Sequence, residues 1–265
     1  MTTLQKQKQF NTGSPHSLKA IRRRLAAVLL IVSFTGCAGL SSAPMEVLRY
    51  TNPDMAAPHQ RMFVFLRGIG GGHQCFEEEG LVADVRACGL PYDMAAPNAH
   101  VGYYVDRSLI IRLKADVIDP AKARGVAKIW LVGVSMGGLG AMLYLYEHPE
   151  DVAGVYLMAP FLGPQYLLEE IEAAGGVRKW QPGVYNAEED WQRMLWHWIQ
   201  QTIADHPDKI IYLGYGVDDP YRLAAQLLAP LLPPGRVYAV DGGHDYATFK
   251  ALWKIFLIND TELRK

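Results

Sequence analysis

Lys128-Ile-Trp-Leu-Val-Gly-Val-Ser135-Met-Gly-Gly-Leu-Gly-Ala141 is the stretch on which the reading of this chain turns. The apolar run from Ile129 to Val132 predicts a buried strand, and Met136 to Tyr146 predicts a helix, with the serine at the bend between them. Gly133, Ser135 and Gly137 spell G-x-S-x-G. A serine oxygen stands clear of a strand end only where the backbone turns sharply, and side chains two residues to either side would collide in that turn. The serine then lies at the mouth of a helix N-terminus, where the Met136 N–H can help to hold an oxyanion.

Upstream, Arg61-Met-Phe-Val-Phe-Leu-Arg67 predicts a second buried strand that runs into Gly68-Ile-Gly-Gly-Gly-His73. So many glycines at a strand end let backbone N–H groups approach a ligand closely. A phosphate cradle is the rival reading, but neither Gly-Lys-Ser/Thr nor G-x-G-x-x-G occurs there. Gly70, His73 and, farther on, His100 are candidates to face a substrate. A solvent-facing or structural role is the competing reading for both histidines, and neither is taken as a catalytic base. Leu109 to Ala123 has the apolar spacing of a crossover helix.

Downstream, Val152 to Ala159, Lys209 to Gly214 and Arg236 to Val240 predict further strands, with a helix around Tyr221 to Leu232 and another at the end of the chain. Such alternation predicts an α/β fold, a mostly parallel central sheet with helices on both faces, whose ligands sit outside the carboxyl ends of the strands. Ser135, the pair Asp218-Asp219, and His244 all fall at those ends. A serine hydroxyl is a poor nucleophile at neutral pH, and a histidine can take its proton while a carboxylate fixes the imidazole tautomer.

The order serine, acid, histidine resembles that of the α/β-hydrolase superfamily, and the resemblance spans roughly Arg61 to Leu257. In that family the acid sits in a G-x-x-D turn, matched here by Gly216-Val-Asp-Asp219, and the histidine in a turn like Gly242-Gly243-His244. The resemblance implies Asp219 as the acid, with Asp218 the alternative. It also implies an oxyanion hole formed by the N–H groups of Ile69 and Met136. The implied activity is acyl-ester hydrolysis through Ser135, Asp219 and His244, with no cofactor and no metal. An acyltransferase, peptidase or thioesterase would use the same machinery, and a non-catalytic surface lipoprotein could keep the scaffold for binding. Residues 164–207 fit neither strand nor crossover and correspond to a small helical lid. Within it Trp180 and Trp196 are candidate substrate contacts, against the alternative that they only fasten the lid to the core.

At 265 residues and 50% hydrophobic content, the chain can bury one sizeable core, so one α/β domain with an insertion is expected rather than two domains. A net charge of -1, without a basic patch interleaved with aromatics, points away from nucleic acid. The N-terminus carries Arg22-Arg23-Arg24 ahead of an apolar run from Leu25 to Phe34, the layout of a secretory signal. It closes on Thr35-Gly36-Cys37, which resembles the lipobox of bacterial lipoproteins, with Cys37 carrying the lipid. An ordinary secreted or helix-anchored product is the alternative.

The expected organisation is a signal peptide over 1–36, a tether over 37–58 and the α/β domain over 59–265. The expected location is the bacterial cell envelope, at the outer membrane and facing the periplasm or the surface. Cys75 and Cys88 bracket what reads as one helix. At roughly 1.5 Å per residue their Cα atoms would lie nearly 20 Å apart, beyond the roughly 7 Å that a disulfide spans. Two separate thiols are expected, Cys88 the buried one.

Overall fold

A computed structural model describes residues 43–51, 60–203, 210–259 and 262–264. Cys37 and the whole expected signal peptide lie outside the described residues. Among the described residues no helix is long and apolar enough to cross a membrane. Seven strands form one sheet: β1 (Val47–Tyr50), β2 (Arg61–Leu66), β3 (Asp93–Pro97), β4 (Lys128–Val134), β5 (Gly154–Met158), β6 (Ile211–Gly216) and β7 (Val237–Val240). Their spatial order is β1-β3-β2-β4-β5-β6-β7. β1 runs antiparallel to β3, and every other pairing is parallel. The expected mostly parallel sheet is therefore present. The expected tether, however, contains an edge strand: Val47 pairs with Pro97 and Tyr50 with Met94.

The inner strands are buried on both faces, which is why they read as unbroken apolar runs rather than as alternating ones. The alternation is instead one of shape. Met62, Val64 and Leu66 of β2 join Ile129 and Leu131 of β4 in an aliphatic layer. Phe63, Phe65, Trp130 and Val132 point the other way, into a layer with Tyr156, Trp253 and Phe256. The aliphatic layer is covered by α3 (Val101–Val105), α4 (Leu109–Leu113), α5 (Asp119–Ala123), α6 (Met136–Glu147) and α9 (Leu223–Leu228). The aromatic layer is covered by α1 (Cys75–Glu78), α2 (Leu81–Ala87) and the last helix, α10 (Tyr246–Asn259). Two buried polar groups there find backbone partners: Trp253 Nε1 donates to the Leu81 carbonyl at 3.0 Å and the Tyr156 hydroxyl to that of Leu252 at 2.8 Å.

Two expectations about the first helix fail. Gly80, at φ 80°, breaks the stretch from Phe76 to Ala87 into α1 and α2. Cys75, not Cys88, is the buried thiol. It packs in the aromatic layer and accepts from the Tyr246 hydroxyl at 2.7 Å, whereas Cys88 is half-buried. Both are free, as expected. The crossover from Leu109 to Ala123 is helical throughout but changes to π geometry over Lys114–Ile118.

The insertion carries α7 (Gln165–Ala173) and α8 (Trp191–Trp198), the latter continuing as π helix over Ile199–Ile203. Arg193 joins its parts: it donates to both oxygens of Glu170 at 2.6 and 2.8 Å, to Asp190 at 2.8 Å and to the Pro182 carbonyl at 3.3 Å. Bidentate pairing of this kind fixes orientation as well as distance.

One charged cluster ties the crossover to α6 and to the turn that follows it. The buried Asp151 carboxylate accepts from Lys122, from Lys114 at 3.1 Å and from the Tyr144 hydroxyl at 2.9 Å. Burial alone would raise its pKa. The Lys122, Tyr144 and Lys114 contacts outweigh that and hold it at about 2. A depressed folded-state pKa contributes stability above the unfolded value, near 3.9, and that stability is lost as pH falls towards 2. Asp151→Asn is expected to lower the unfolding free energy by about 2 kcal/mol at pH 7. In urea melts the gap from wild type should hold down to about pH 4 and close towards pH 2.

Candidate active site

The site forms where parallel strands end together. Leu66 of β2 lies beside Gly133 of β4, Val134 beside Met158 of β5, and Gly216 of β6 beside Val240 of β7. Continuing those registers sets Gly68 next to Ser135 and brings the loops after β6 and β7 together. A Cβ placed on Gly68 would lie 3.3 Å from the Ser135 Cβ and 3.9 Å from its Oγ.

Ser135 has φ 52° and ψ −118°, a backbone conformation costly for any residue with a side chain. Its N–H donates to the Met158 carbonyl at 3.0 Å, and its own carbonyl accepts from Gly138 and Phe161, each at 2.9 Å. The bend also requires flanking glycines. A Cβ on Gly133 would sit 2.5 Å from the Gly137 carbonyl oxygen, and one on Gly137 would sit 1.9 Å from that of Leu66. Met136 is the first residue of α6, so its N–H has no acceptor within the helix.

Of the two candidate acids, only Asp219 meets the histidine. It is fully buried, and its Oδ2 lies 2.7 Å from His244 Nδ1 while its Oδ1 accepts the Tyr221 N–H at 2.7 Å. Asp218 is exposed, its N–H bound to the Gly242 carbonyl at 3.0 Å. The acid and histidine turns touch closely: a Cβ on Gly216 would come within 2.2 Å of the Gly242 carbonyl oxygen. The His244 ring is held edge-on between Tyr221 and Phe249, at 5.1 and 5.2 Å. With Nδ1 committed to Asp219, Nε2 is the nitrogen free to exchange a proton.

The other sequence-derived candidates separate. Ile69 is exposed at the loop tip, and a side chain on Gly70 would meet nothing within 4 Å, so this loop borders open space. His100 accepts the Gly102 N–H at 3.1 Å and caps α3, a structural task. Burial, reinforced by the Arg67 cation, lowers its pKa. His73 is buried, its Nε2 lacks a hydrogen bond, and burial lowers its pKa too. Trp180 and Trp196 are core residues rather than pocket walls: Trp180 donates to Glu170 at 2.8 Å, and Trp196 to the Leu162 carbonyl at 2.8 Å. Among the insertion side chains that do line a cavity are Trp191 and Met194. Together with Tyr104, Leu109 and Leu143 they bound a space of about 250 Å3 between α3, α4, α6 and α8. Tyr104 donates its hydroxyl to the Met136 carbonyl at 3.1 Å, a contact that no motif foretells.

Among the described residues one set of potential metal ligands, His148, Glu150 and Asp151, has its donor atoms within 4.8 Å of one another. The Lys114 and Lys122 ammonium groups already hold the Asp151 oxygens, so cations of the chain itself fill the place a metal would take.

A family model for the alpha/beta hydrolase fold matches residues 121–188, the span from the crossover through the serine turn into the insertion. "Probable esterase PIR7A" of Oryza sativa subsp. indica is 32% identical over 101 residues, which is 37% of this chain and 38% of that protein. The match thus spans well under half the length of this relative. Among solved structures, BpoC from Mycobacterium tuberculosis H37Rv superposes with a TM-score of 0.56 at 17% identity, over 84% of this chain and 97% of that one. FphF of Staphylococcus aureus, a fluorophosphonate-binding serine hydrolase, gives 0.52 at 13% identity, over 82% and 100%. At such identities the likeness is one of fold, and the fold is that of the α/β hydrolases.

A hydrogen bond between an imidazole and a buried carboxylate gives a far-downfield N–H proton signal. Asp219→Asn should abolish that signal of His244 in the NMR spectrum, and Asp218→Asn should leave it in place.

Proposed function

We propose, from the α/β-hydrolase fold of this chain, that it is a serine hydrolase that cleaves a carboxylic ester through an acyl-enzyme. The observation that carries this reading is the 2.7 Å contact between His244 Nδ1 and the buried Asp219, on the sheet edge where Ser135 turns out of β4. In the proposed reaction Ser135 Oγ attacks the acyl carbon while His244 takes its proton. The oxyanion is held by the N–H groups of Met136 and Ile69. His244 then returns the proton to the departing alcohol, and water repeats the sequence on the acyl-enzyme. Asp219 keeps the imidazole in the required tautomer and stabilises its charged form.

The modest size of the helical insertion, with α7 (Gln165–Ala173) and α8 (Trp191–Trp198) its main helices, supports a short or medium acyl group as the substrate. The layout of the N-terminus supports export and lipid attachment at Cys37, hence an enzyme facing the periplasm or cell surface. If that holds, Cys37→Ser should move the full chain out of the membrane fraction of a bacterial host.

Ser135→Ala is expected to lower turnover of a p-nitrophenyl ester by at least about a thousandfold with an unchanged melting curve. A fluorophosphonate probe should label the wild type and not this variant. An unlabelled wild type would leave a binding scaffold as the better reading. Among C2, C4, C8 and C16 esters the optimum is expected at C8 or shorter, and a C16 optimum would refute the assigned substrate class.

A further inference from the structure

Arg67 closes β2 and leads directly into the glycine loop. It is nearly fully buried, at 9% exposure. Buried guanidinium groups ordinarily face a carboxylate, because an unpaired charge costs several kcal/mol in a low dielectric. None of the ion pairs among the described residues involves Arg67. Its donors go elsewhere: Nε to the Gly68 carbonyl at 3.2 Å, Nη2 to the Ile69 carbonyl at 3.3 Å, and Nη1 to Asn98 Oδ1 at 3.3 Å. The Asn98 N–H is in turn bonded to the Glu46 carbonyl at 2.8 Å, beside the edge strand, so the far end of this chain of contacts is anchored.

The consequence follows from the planarity of the peptide group. In a trans peptide the C=O of one residue and the N–H of the next point in opposite directions. A guanidinium that grips the Gly68 and Ile69 oxygens therefore turns the N–H groups of Ile69 and Gly70 away from itself. The glycines on either side of Ile69 leave this loop few steric restraints of its own, so an external grip sets its orientation.

We propose that Arg67 is the positioning residue of the oxyanion hole, its buried guanidinium clamping two loop carbonyls so that the opposite N–H groups face the reacting oxygen. The proposal rests on the serine-hydrolase reading and adds a second consequence to it. The cation, in no ion pair with a carboxylate among the described residues, also polarises the two peptides and favours negative charge nearby. That help counts most in the transition state, where the oxygen becomes anionic.

The test compares wild type, Arg67→Met, Arg67→Lys and Arg67→Ala, each checked by circular dichroism and thermal melting. Labelling of wild-type Ser135 by a fluorophosphonate comes first; its failure removes the hydrolase reading, and this proposal with it. Given labelling, Arg67→Met should lower kcat by about 30-fold, less than deletion of an oxyanion donor, with KM within about twofold. It should weaken a trifluoromethyl ketone inhibitor by the same factor, because that adduct carries the oxyanion. Arg67→Lys keeps the charge but not the fork, and should recover only part of the loss. Guanidinium at concentrations far below denaturing ones should restore kcat to Arg67→Ala. Wild-type kcat and inhibitor affinity in Arg67→Met would overturn the proposal. So would losses that track unfolding and resist rescue by guanidinium.

Discussion

The carbonyl oxygen of Leu66 and the Cα of Gly137 are so close that a single methyl group on Gly137 would fall 1.9 Å from that oxygen. This contact brings the end of β2 against the first turn of α6, and the rest of the site inherits its dimensions. Because the serine helix presses against β2, the loop leaving β2 comes level with Ser135, and donors from two separate segments can face one oxygen. The same economy recurs across the sheet, where Gly216 admits the Gly242 carbonyl and so brings the acid turn against the histidine turn. Missing side chains set how near these loops come. The side chains that are present, Asp219 and His244, then have only a short distance to bridge.

Rigidity around the site comes from two layers that differ in chemistry. On one side the sheet is packed by aliphatic residues and by helices that reach the insertion. On the other, rings of Phe63, Tyr92, Tyr156, Trp253 and Phe256 stack or meet edge to face at 4.2 to 6.2 Å. Such pairs contribute about 0.5–1.5 kcal/mol each beyond area burial and restrict rotation of the neighbours they touch. The catalytic candidates hang from strand ends clamped between these layers, so local loops need not supply the precision themselves. Trp180 and Trp196 are buried in the aliphatic layer, each with its indole N–H bonded inside the insertion or to the strand exit.

Most of the fold could be read from residue order because buried parallel strands declare themselves as apolar runs and glycine turns mark their ends. The β4 turn, the acid turn and the histidine turn all carry local signals of that kind. What escaped reading had no local signature. Val47 to Tyr50 is too short and too mixed to register as a strand, and it becomes one only by pairing with β3. The adjacent carboxylates Asp218 and Asp219 are equivalent in spacing; the direction in which the turn winds decides which one is buried. Gly80 in a helical pattern reads as a tolerated weak point, and here it ends a helix because the chain must turn at a left-handed φ. Arg67, a charge at a strand terminus, looks like a residue headed for solvent, and only the packing of the neighbouring loop reveals it as buried.

Backbone strain points to the same place as the side chains. Among the described residues three that are not glycine have positive φ: Arg107, Ser135 and Ala159, at 60°, 52° and 46°. Ser135 and Ala159 follow the paired residues Val134 and Met158, so two strained bends lie side by side on adjacent strands. Each such bend costs of order 1–3 kcal/mol and persists only where surrounding contacts leave no alternative. Those contacts are explicit: Ser135 donates to the Met158 carbonyl, Phe161 donates back to Ser135, and Ala159 donates to the Gly214 carbonyl at 2.7 Å. The strain is thus held by hydrogen bonds that run from β4 through β5 to β6, the strand that carries the acid. A relaxed serine bend would let Oγ fall back towards the sheet. The hydrogen-bonded row of strand ends prevents that, because one bend cannot relax without breaking a bond that positions its neighbour.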